Sequence, residues 1–202
     1  MQLRLRTSLT SHEYVTQEAW REASLERCPL HPDGGCAFAR HGTYERVEPP
    51  GTRVARWYCR AARTSFSLLP DCLASHLSGS LAEVEEVAAR VEAAPSIEAA
   101  AVELRPDITL LCAVHWVQRR SRRVRLVLVA ALTLLPVRFA GCAPRISDVR
   151  RVLETDAALR AIRQELAAHL SSVPAPVGFA PHPGRGGGKR AGLQHGVGTD
   201  SS

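Results

Sequence analysis

Lysine is almost missing from this chain, and aromatic residues, methionine and long apolar runs are scarce. Of the 26 basic residues 25 are arginine, the one lysine being Lys189. Four Phe, three Trp and three Tyr make up only 5% of 202 residues. A core must therefore be filled mainly by Leu, Val and Ala, which favours helices over a β-sandwich or a large sheet enzyme. The longest apolar run, Leu126 to Val137, contains Thr133 and Pro136 and is bounded by Arg125 and Arg138. A membrane-spanning helix needs about 20 apolar residues, so this run is read as a buried helix and no membrane partner is expected. Met1 to Arg6 is followed by polar residues instead of the apolar stretch of a secretory signal. Six cysteines are too few for a disulfide scaffold. A soluble, cytoplasmic protein is expected.

Enzymatic signatures are also missing. The six aspartates, Asp33, Asp71, Asp107, Asp148, Asp156 and Asp200, show no spacing that would gather three carboxylates around two metals on a mixed sheet. Gly188-Lys189 is preceded by Pro183 where a phosphate loop requires Gly, and followed by Arg190 in place of Ser or Thr. No catalytic residue is assigned and a noncatalytic protein is expected.

What the chain does have is charge of one sign in one place. The net charge is +6. Residues 76–118 carry seven acids against two bases, whereas 119–151 carry nine bases against one acid. The positive excess thus begins at Arg119 and suits a polyanionic partner. The acids from Glu83 to Glu92 recur at helical spacing and are expected to form a solvated helix face.

Local patterns divide the chain into an N-terminal helical extension (1–27), a β-rich module (28–75), a helical region (76–172) and a disordered tail (173–202). Residues 12–27 read as a helix capped by Ser11. Arg40 to Val47 and Thr52 to Cys59 read as strands joined through Glu48-Pro49-Pro50-Gly51, which has turn chemistry. Ser80 followed by Glu83 is a capping box opening a helix to about Ala94. Ser96 can cap a short helix to Leu104, and Asp107 a third that runs into Arg119, with an apolar stripe of Leu110, Val114 and Val117. That helix continues or bends near Ser121 and ends ahead of Pro136. Further helices are expected at about 147–154 and 157–171. The tail is rich in Pro and Gly without periodicity.

Cys28-Pro29-Leu30-His31 places two zinc-type ligands on one short loop, which aims both at a single point. Cys59 ends the second strand and can open a second pair, but residues 60–63 are Arg-Ala-Ala-Arg, without the ligand that regular spacing puts near 62. Cys36 or His41 can substitute; the set Cys28, His31, Cys36 and Cys59 would bind Zn2+. The alternative is a metal-free unit held by Phe38, Tyr44, Trp57, Tyr58 and Phe66. Cys72, Cys112 and Cys142 read as buried apolar residues.

The strings CPLHPDGGCAFARHGTYERV, RVARWYC and RTSFSLLPD resemble the N-terminal zinc-ribbon module found with bacterial insertion-sequence transposases. That module shows a CPxC or CPxH knuckle, an HGxYxR strand matched by His41, Gly42, Tyr44 and Arg46, and an RxYxC strand matched by Arg56, Tyr58 and Cys59. Its closing TFSLLP motif is approached by Thr64, Phe66, Ser67, Leu68, Leu69 and Pro70, with Ser65 interposed. The resemblance spans about 28–71 and departs at the second knuckle, where Ala62 or Arg63 stands in place of a ligand. It implies a zinc-ribbon fold without a nuclease domain.

The order helix, Pro-Ser break, short helix, Pro-Asp break, helix ending in Trp116-Val-Gln-Arg-Arg is also the layout of a helix-turn-helix, and it resembles transposase-type segments of that kind. Ile108 to Arg120 would be the recognition helix, offering Thr109, His115, Gln118 and Arg119 to base edges in a major groove. Arg119, Arg120, Arg122, Arg123 and Arg125 would meet phosphates, which fix register without reading sequence. The ribbon would add Arg40, Arg46, Arg53 and Arg56. The fold expected is mainly α: a small N-terminal β-hairpin of zinc-ribbon type, then a helix-turn-helix and helical bundle. The function expected is noncatalytic binding of double-stranded DNA, with assembly into homo-oligomers compatible with it. The rivals are a helix-turn-helix transcriptional regulator, and a protein–protein module docking through the ribbon and the acidic helix 80–94.

Overall fold

The computed structural model describes residues 1–180. Four strands and six α-helices follow in the order β1 (Gln2–Leu5), α1 (Ser11–Thr16), β2 (Phe38–Glu45), β3 (Arg53–Cys59), β4 (Thr64–Pro70), α2 (Leu81–Ala93), α3 (Ile97–Leu104), α4 (Leu110–Leu134), α5 (Ile146–Leu153) and α6 (Ala158–Glu165). The expectation of a mainly α chain holds only in part: of the described residues 39% are helical and 17% are strand. The strands form one sheet in the order β1-β4-β3-β2, not a lone hairpin.

The β2–β3 hairpin appears where the alternating residues and the Pro-Pro-Gly turn place it, with a bulge between Arg40 and Thr43. β4 continues antiparallel to β3, Trp57 opposite Phe66. β1 then pairs in parallel with β4, Leu3 opposite Leu68. Alternation sends Ala55, Trp57, Cys59, Phe66 and Leu68 into a core shared with Tyr14, Trp20 and Ala23. The expected helix 12–27 stops at Thr16, because Glu18 takes a positive φ of 47° and turns the chain so that Trp20 folds back towards Tyr14. Its cap is Thr10, not Ser11, in a reciprocal capping box with Glu13.

The capping signals of the helical half hold for α2 and α3. Ser80 and Glu83 close a capping box on α2, and the Ser96 hydroxyl accepts from the Ala99 N–H at the start of α3. For α4 the expected cap is wrong. Thr109 occupies the N-cap position, and Asp107 instead forms a two-point ion pair with Arg105 at 2.8 Å. α2, α4, α5 and α6 enclose a core of Leu81, Val84, Val124, Val127, Leu128, Ile146, Val149, Leu159 and Ile162. Each such fully buried side chain contributes about 1.5–3 kcal/mol.

The acids of α2 form a solvated face only in part: Glu83 and Glu86 are exposed, whereas Glu85 and Glu92 are engaged within the fold. Glu85 is buried, and its carboxylate accepts from the Ala158 and Leu159 N–H groups at the N-terminus of α6 while pairing with Arg150 at 2.8 Å. Glu92 accepts from the Ile146 and Ser147 N–H groups at the start of α5. Carboxylates at these positions satisfy orphan helix donors and oppose the positive end of the helix dipole. Two short helices are thereby fastened to α2 through Glu85 and Glu92.

The expected disordered tail from 173 is corrected for its first residues. Val173, Ala175 and Val177 are buried, and the remainder, 181–202, lies outside the described residues. Gly178 packs so closely that a Cβ would lie 2.1 Å from the Val173 carbonyl oxygen, which only glycine avoids. Phe179 packs against both the sheet core and the helical core. At the same junction the Arg163 guanidinium is fully buried and donates to the carbonyls of Pro70, Asp71, Leu73, Pro176 and Val177 at 2.7–3.2 Å. Burial pulls its pKa down to about 10, opposed by the nearby Asp71 carboxylate. Asp71 is itself held by Arg4 through bonds of 2.7 and 2.9 Å. Sheet and helices are therefore joined by a hydrogen-bonded core, not by a linker.

Candidate metal centre and basic helix

Cys28 and His31 sit on one tight loop, the His31 N–H donating to the Cys28 carbonyl at 3.1 Å. The chain turns back through Gly34 and Gly35, whose φ values of 88° and 77° belong to glycine, and brings Cys36 in just ahead of β2. Because Phe38 pairs with Cys59 at the end of β3, Cys36 and Cys59 arrive side by side. The four donor atoms of Cys28, His31, Cys36 and Cys59 all lie within 4.8 Å of one another. They form the only converging group of this kind among the described residues.

The geometry fits a metal. With zinc–sulfur bonds of about 2.3 Å and zinc–nitrogen bonds of about 2.0–2.1 Å, a tetrahedral site has sulfur–nitrogen edges of about 3.5 Å. The sulfurs of Cys28 and Cys59 lie 3.4 and 3.5 Å from His31 Nδ1. Three sulfurs and one imidazole nitrogen suit zinc and exclude the oxygen-seeking Mg2+ and Ca2+. Cys28 and Cys59 are buried, which closes the site on the protein side.

The missing second-knuckle ligand has a structural explanation. The Arg60–Arg63 turn is present, and the Ala62 N–H points at the Cys59 sulfur at 3.4 Å. That hydrogen bond is the first cause of a lowered Cys59 pKa, favouring the thiolate that a metal needs. Cys36 takes the place of the absent fourth ligand. Burial, followed by hydrogen bonding to the other two thiols, pushes its pKa up to about 11 when no metal neutralises it. His41, the other substitute, lies outside the group and tilts against the Tyr58 ring at 5.7 Å. Of the remaining cysteines only Cys72 is buried; Cys112 is exposed and Cys142 half-buried, correcting the expectation for both.

α4 is a single helix of 25 residues, without a bend at Ser121. Its buried face is Ala113, Val117, Arg120, Val124, Val127, Leu128 and Ala131, spaced three and four apart. The expected stripe was displaced by a few residues: Leu110 is 50% exposed and Val114 half-buried. His115, Gln118, Arg119, Arg122 and Arg125 all fall on the opposite, exposed face. Arg119, Arg122 and Arg125 form no ion pair among the described residues. The acids near other arginines are engaged with Arg4, Arg21, Arg90, Arg105, Arg150 and Arg151. A groove of about 1290 Å³ borders this stretch, lined by Arg119, Arg122, Arg125 and Arg145. The one acid among its described lining residues, Glu92, is occupied at the start of α5.

Two expected DNA contacts, Arg120 and Arg46, are corrected. Arg120 is only 3% exposed; its guanidinium lies 3.9 Å from the centre of the Trp116 ring and donates to the Ser78 hydroxyl at 3.1 Å. Arg105 approaches the same ring at 5.0 Å. Arg46 is spent on the carbonyls of Ala74 and Leu77, bracing the hairpin against the loop before α2. Arg40 is exposed, although its guanidinium donates to the carbonyls of Trp20 and Arg21 and lies over Trp57. Arg53 is exposed, Arg56 lies over the Tyr44 ring at 5.9 Å, and Arg123 is half-buried on the flank of α4. Thr109 is exposed at the N-cap of α4. The helical residues therefore share one surface, whereas the ribbon arginines do not.

No protein family, no curated protein and no solved structure matches this chain.

Proposed function

We propose that the chain is a noncatalytic protein that binds double-stranded DNA through α4, with zinc held by Cys28, His31, Cys36 and Cys59 as a structural ion. The observation that carries the reading is the row of exposed, unpaired arginines Arg119, Arg122 and Arg125 beside His115 and Gln118. Guanidiniums kept out of ion pairs, beside a groove whose acid is occupied, retain their charge for an external polyanion.

α3 and α4 pack through Ala101, Ala113 and Val117, with Val87 of α2 completing a three-helix cluster. In this reading they form a helix-turn-helix, and the first three turns of α4 enter the major groove. Gln118 and Arg119 read base edges, the exposed Leu111 meets thymine methyl groups, and Arg122 and Arg125 contact phosphate. Cys28, His31, Cys36 and Cys59 would hold the zinc, and their shared coordination would tie the 28–37 loop to the ends of β2 and β3. The likeness to the recognition part of an insertion-sequence transposase rests on the ribbon motifs.

The test is duplex binding by fluorescence anisotropy across a salt series with the full chain. Replacing Arg119, Arg122 and Arg125 by Ala should weaken every duplex sequence and lower the slope of log K against log salt by up to about 3. Unchanged affinity and slope would refute the assignment.

A further inference from the structure

The second face of the sheet is buried at its row of Val54 and Leu69 but opens towards the β3–β4 turn. Register places Ala39, Tyr58 and Ser65 in one row across β2, β3 and β4, and Arg56 beside Ser67 and Gln2 in the next. These residues are half-buried or exposed, in contrast to Trp57, Cys59, Phe66 and Leu68 on the other side. The face holds two tyrosines and a histidine, with Arg56 lying over Tyr44 and His41 tilted 45° to Tyr58. Among the described residues no ring lies parallel on Tyr58, and its row neighbours Ala39 and Ser65 are small. A planar group can therefore settle on this ring. No acid belongs to these rows, and the exposed Arg60 and Arg63 cap the β3–β4 turn at one end.

We infer that this face is a stacking platform for unpaired bases of single-stranded nucleic acid. A base lies on Tyr58, its neighbour on the guanidinium of Arg56, and the backbone runs towards Arg60 and Arg63. Aromatic and guanidinium planes on an open sheet face take any base, because every base offers a π-face, while flanking arginines track phosphate. Duplex DNA keeps its bases stacked internally and cannot use this face in the same way. The platform is separate from α4 and stands whether or not α4 binds duplex.

The experiment measures anisotropy of labelled oligothymidine and oligouridine, about 12 nucleotides long to suit the usual site size, with the full chain and its variants. Tyr58→Ala should weaken single-strand binding roughly 5- to 150-fold, the span of one lost base stack, and leave duplex affinity within about twofold, while Tyr58→Phe retains it. Arg56→Gln and Arg60→Ala, both outside the core, should weaken single strands and reduce their salt slope even if Tyr58→Ala folds poorly. The Arg119, Arg122 and Arg125 triple variant should keep single-strand binding. A preference for one oligonucleotide would assign the sugar, DNA or RNA, that the platform accepts. Single-strand affinity unchanged in Arg56→Gln, Arg60→Ala and Tyr58→Ala, or lost only in the α4 triple variant, would overturn the proposal. Duplex binding that survives the triple variant would instead refute the α4 reading.

Discussion

The Cys59 sulfur lies 3.5 Å from Nδ1 of His31, although 28 positions separate them along the chain. The approach depends on the pairing of β2 with β3, which carries Cys59 to the loop holding Cys28 and His31. The loop has little apolar surface of its own: Pro29, Leu30, Pro32, Asp33, Gly34 and Gly35 are all exposed.

A first prediction concerns metal removal. Purified chain should contain one zinc, and Cys59→Ser or chelation should release it and expose the 28–37 loop to proteolysis while leaving the helical half folded. In neutral buffer, adding Zn2+ to metal-free chain should release protons, because Cys36 is protonated there and must ionise to bind. Metal analysis with limited proteolysis, and a pH-indicator titration, check the two parts. A chain purified without metal that binds none on addition would rule the site out.

Neighbouring arginines of α4 should behave oppositely. Arg122→Ala should lower the salt slope of duplex binding by about 1 with stability within about 0.5 kcal/mol of wild type. Arg120→Ala removes the Trp116 stack and the Ser78 bonds, so it should cost about 1–3 kcal/mol in urea unfolding and leave the salt slope intact.

Arg163 should dominate the stability of the junction between sheet and helices. Arg163→Met leaves five buried carbonyls without their donor and should cost about 3–5 kcal/mol. Lysine brings three donors on a rotating ammonium in place of a planar fork, so Arg163→Lys should fall between wild type and Met. Denaturant midpoints give the order.

Alkaline pH should destabilise the zinc-loaded protein through Cys72. Burial raises this thiol from 9.0 to about 11 in the folded chain. The folded state therefore keeps a proton that the unfolded chain gives up between those values. Its contribution is fully present below about pH 9 and is lost as pH rises towards 11. Thermal midpoints should fall over this window, and Cys72→Ala should flatten the fall.

Much of the local structure was legible because local chemistry decides it. Ser80 and Glu83, Ser96, and the Pro-Pro-Gly turn act within a few residues, and α2, α3 and the β2–β3 hairpin follow. The four metal-type ligands were nameable from residue type and spacing. Arg120 departs from the expectation of an exposed cation, although its position, three residues after Val117 and four before Val124, puts it on the buried face. Residue type points an arginine to solvent, yet a cation with Trp116 and Ser78 for company can be buried. β1 gave no signal, since four residues pair only because β4 offers a parallel edge.

By itself the sequence determined α2, α3 and the β2–β3 hairpin, the capping of two helices, the cluster of arginines after Trp116 and the ligand set of the metal loop, all properties of neighbours in the chain. Only the tertiary structure decided which charges remain available. Glu85 and Glu92 are consumed at the N-termini of α6 and α5, and Arg46, Arg120 and Arg163 are turned inward to satisfy carbonyls or cover a ring. Buried backbone groups must find partners wherever the packed chain leaves them, and a long charged side chain supplies them from a distance that no sequence window spans.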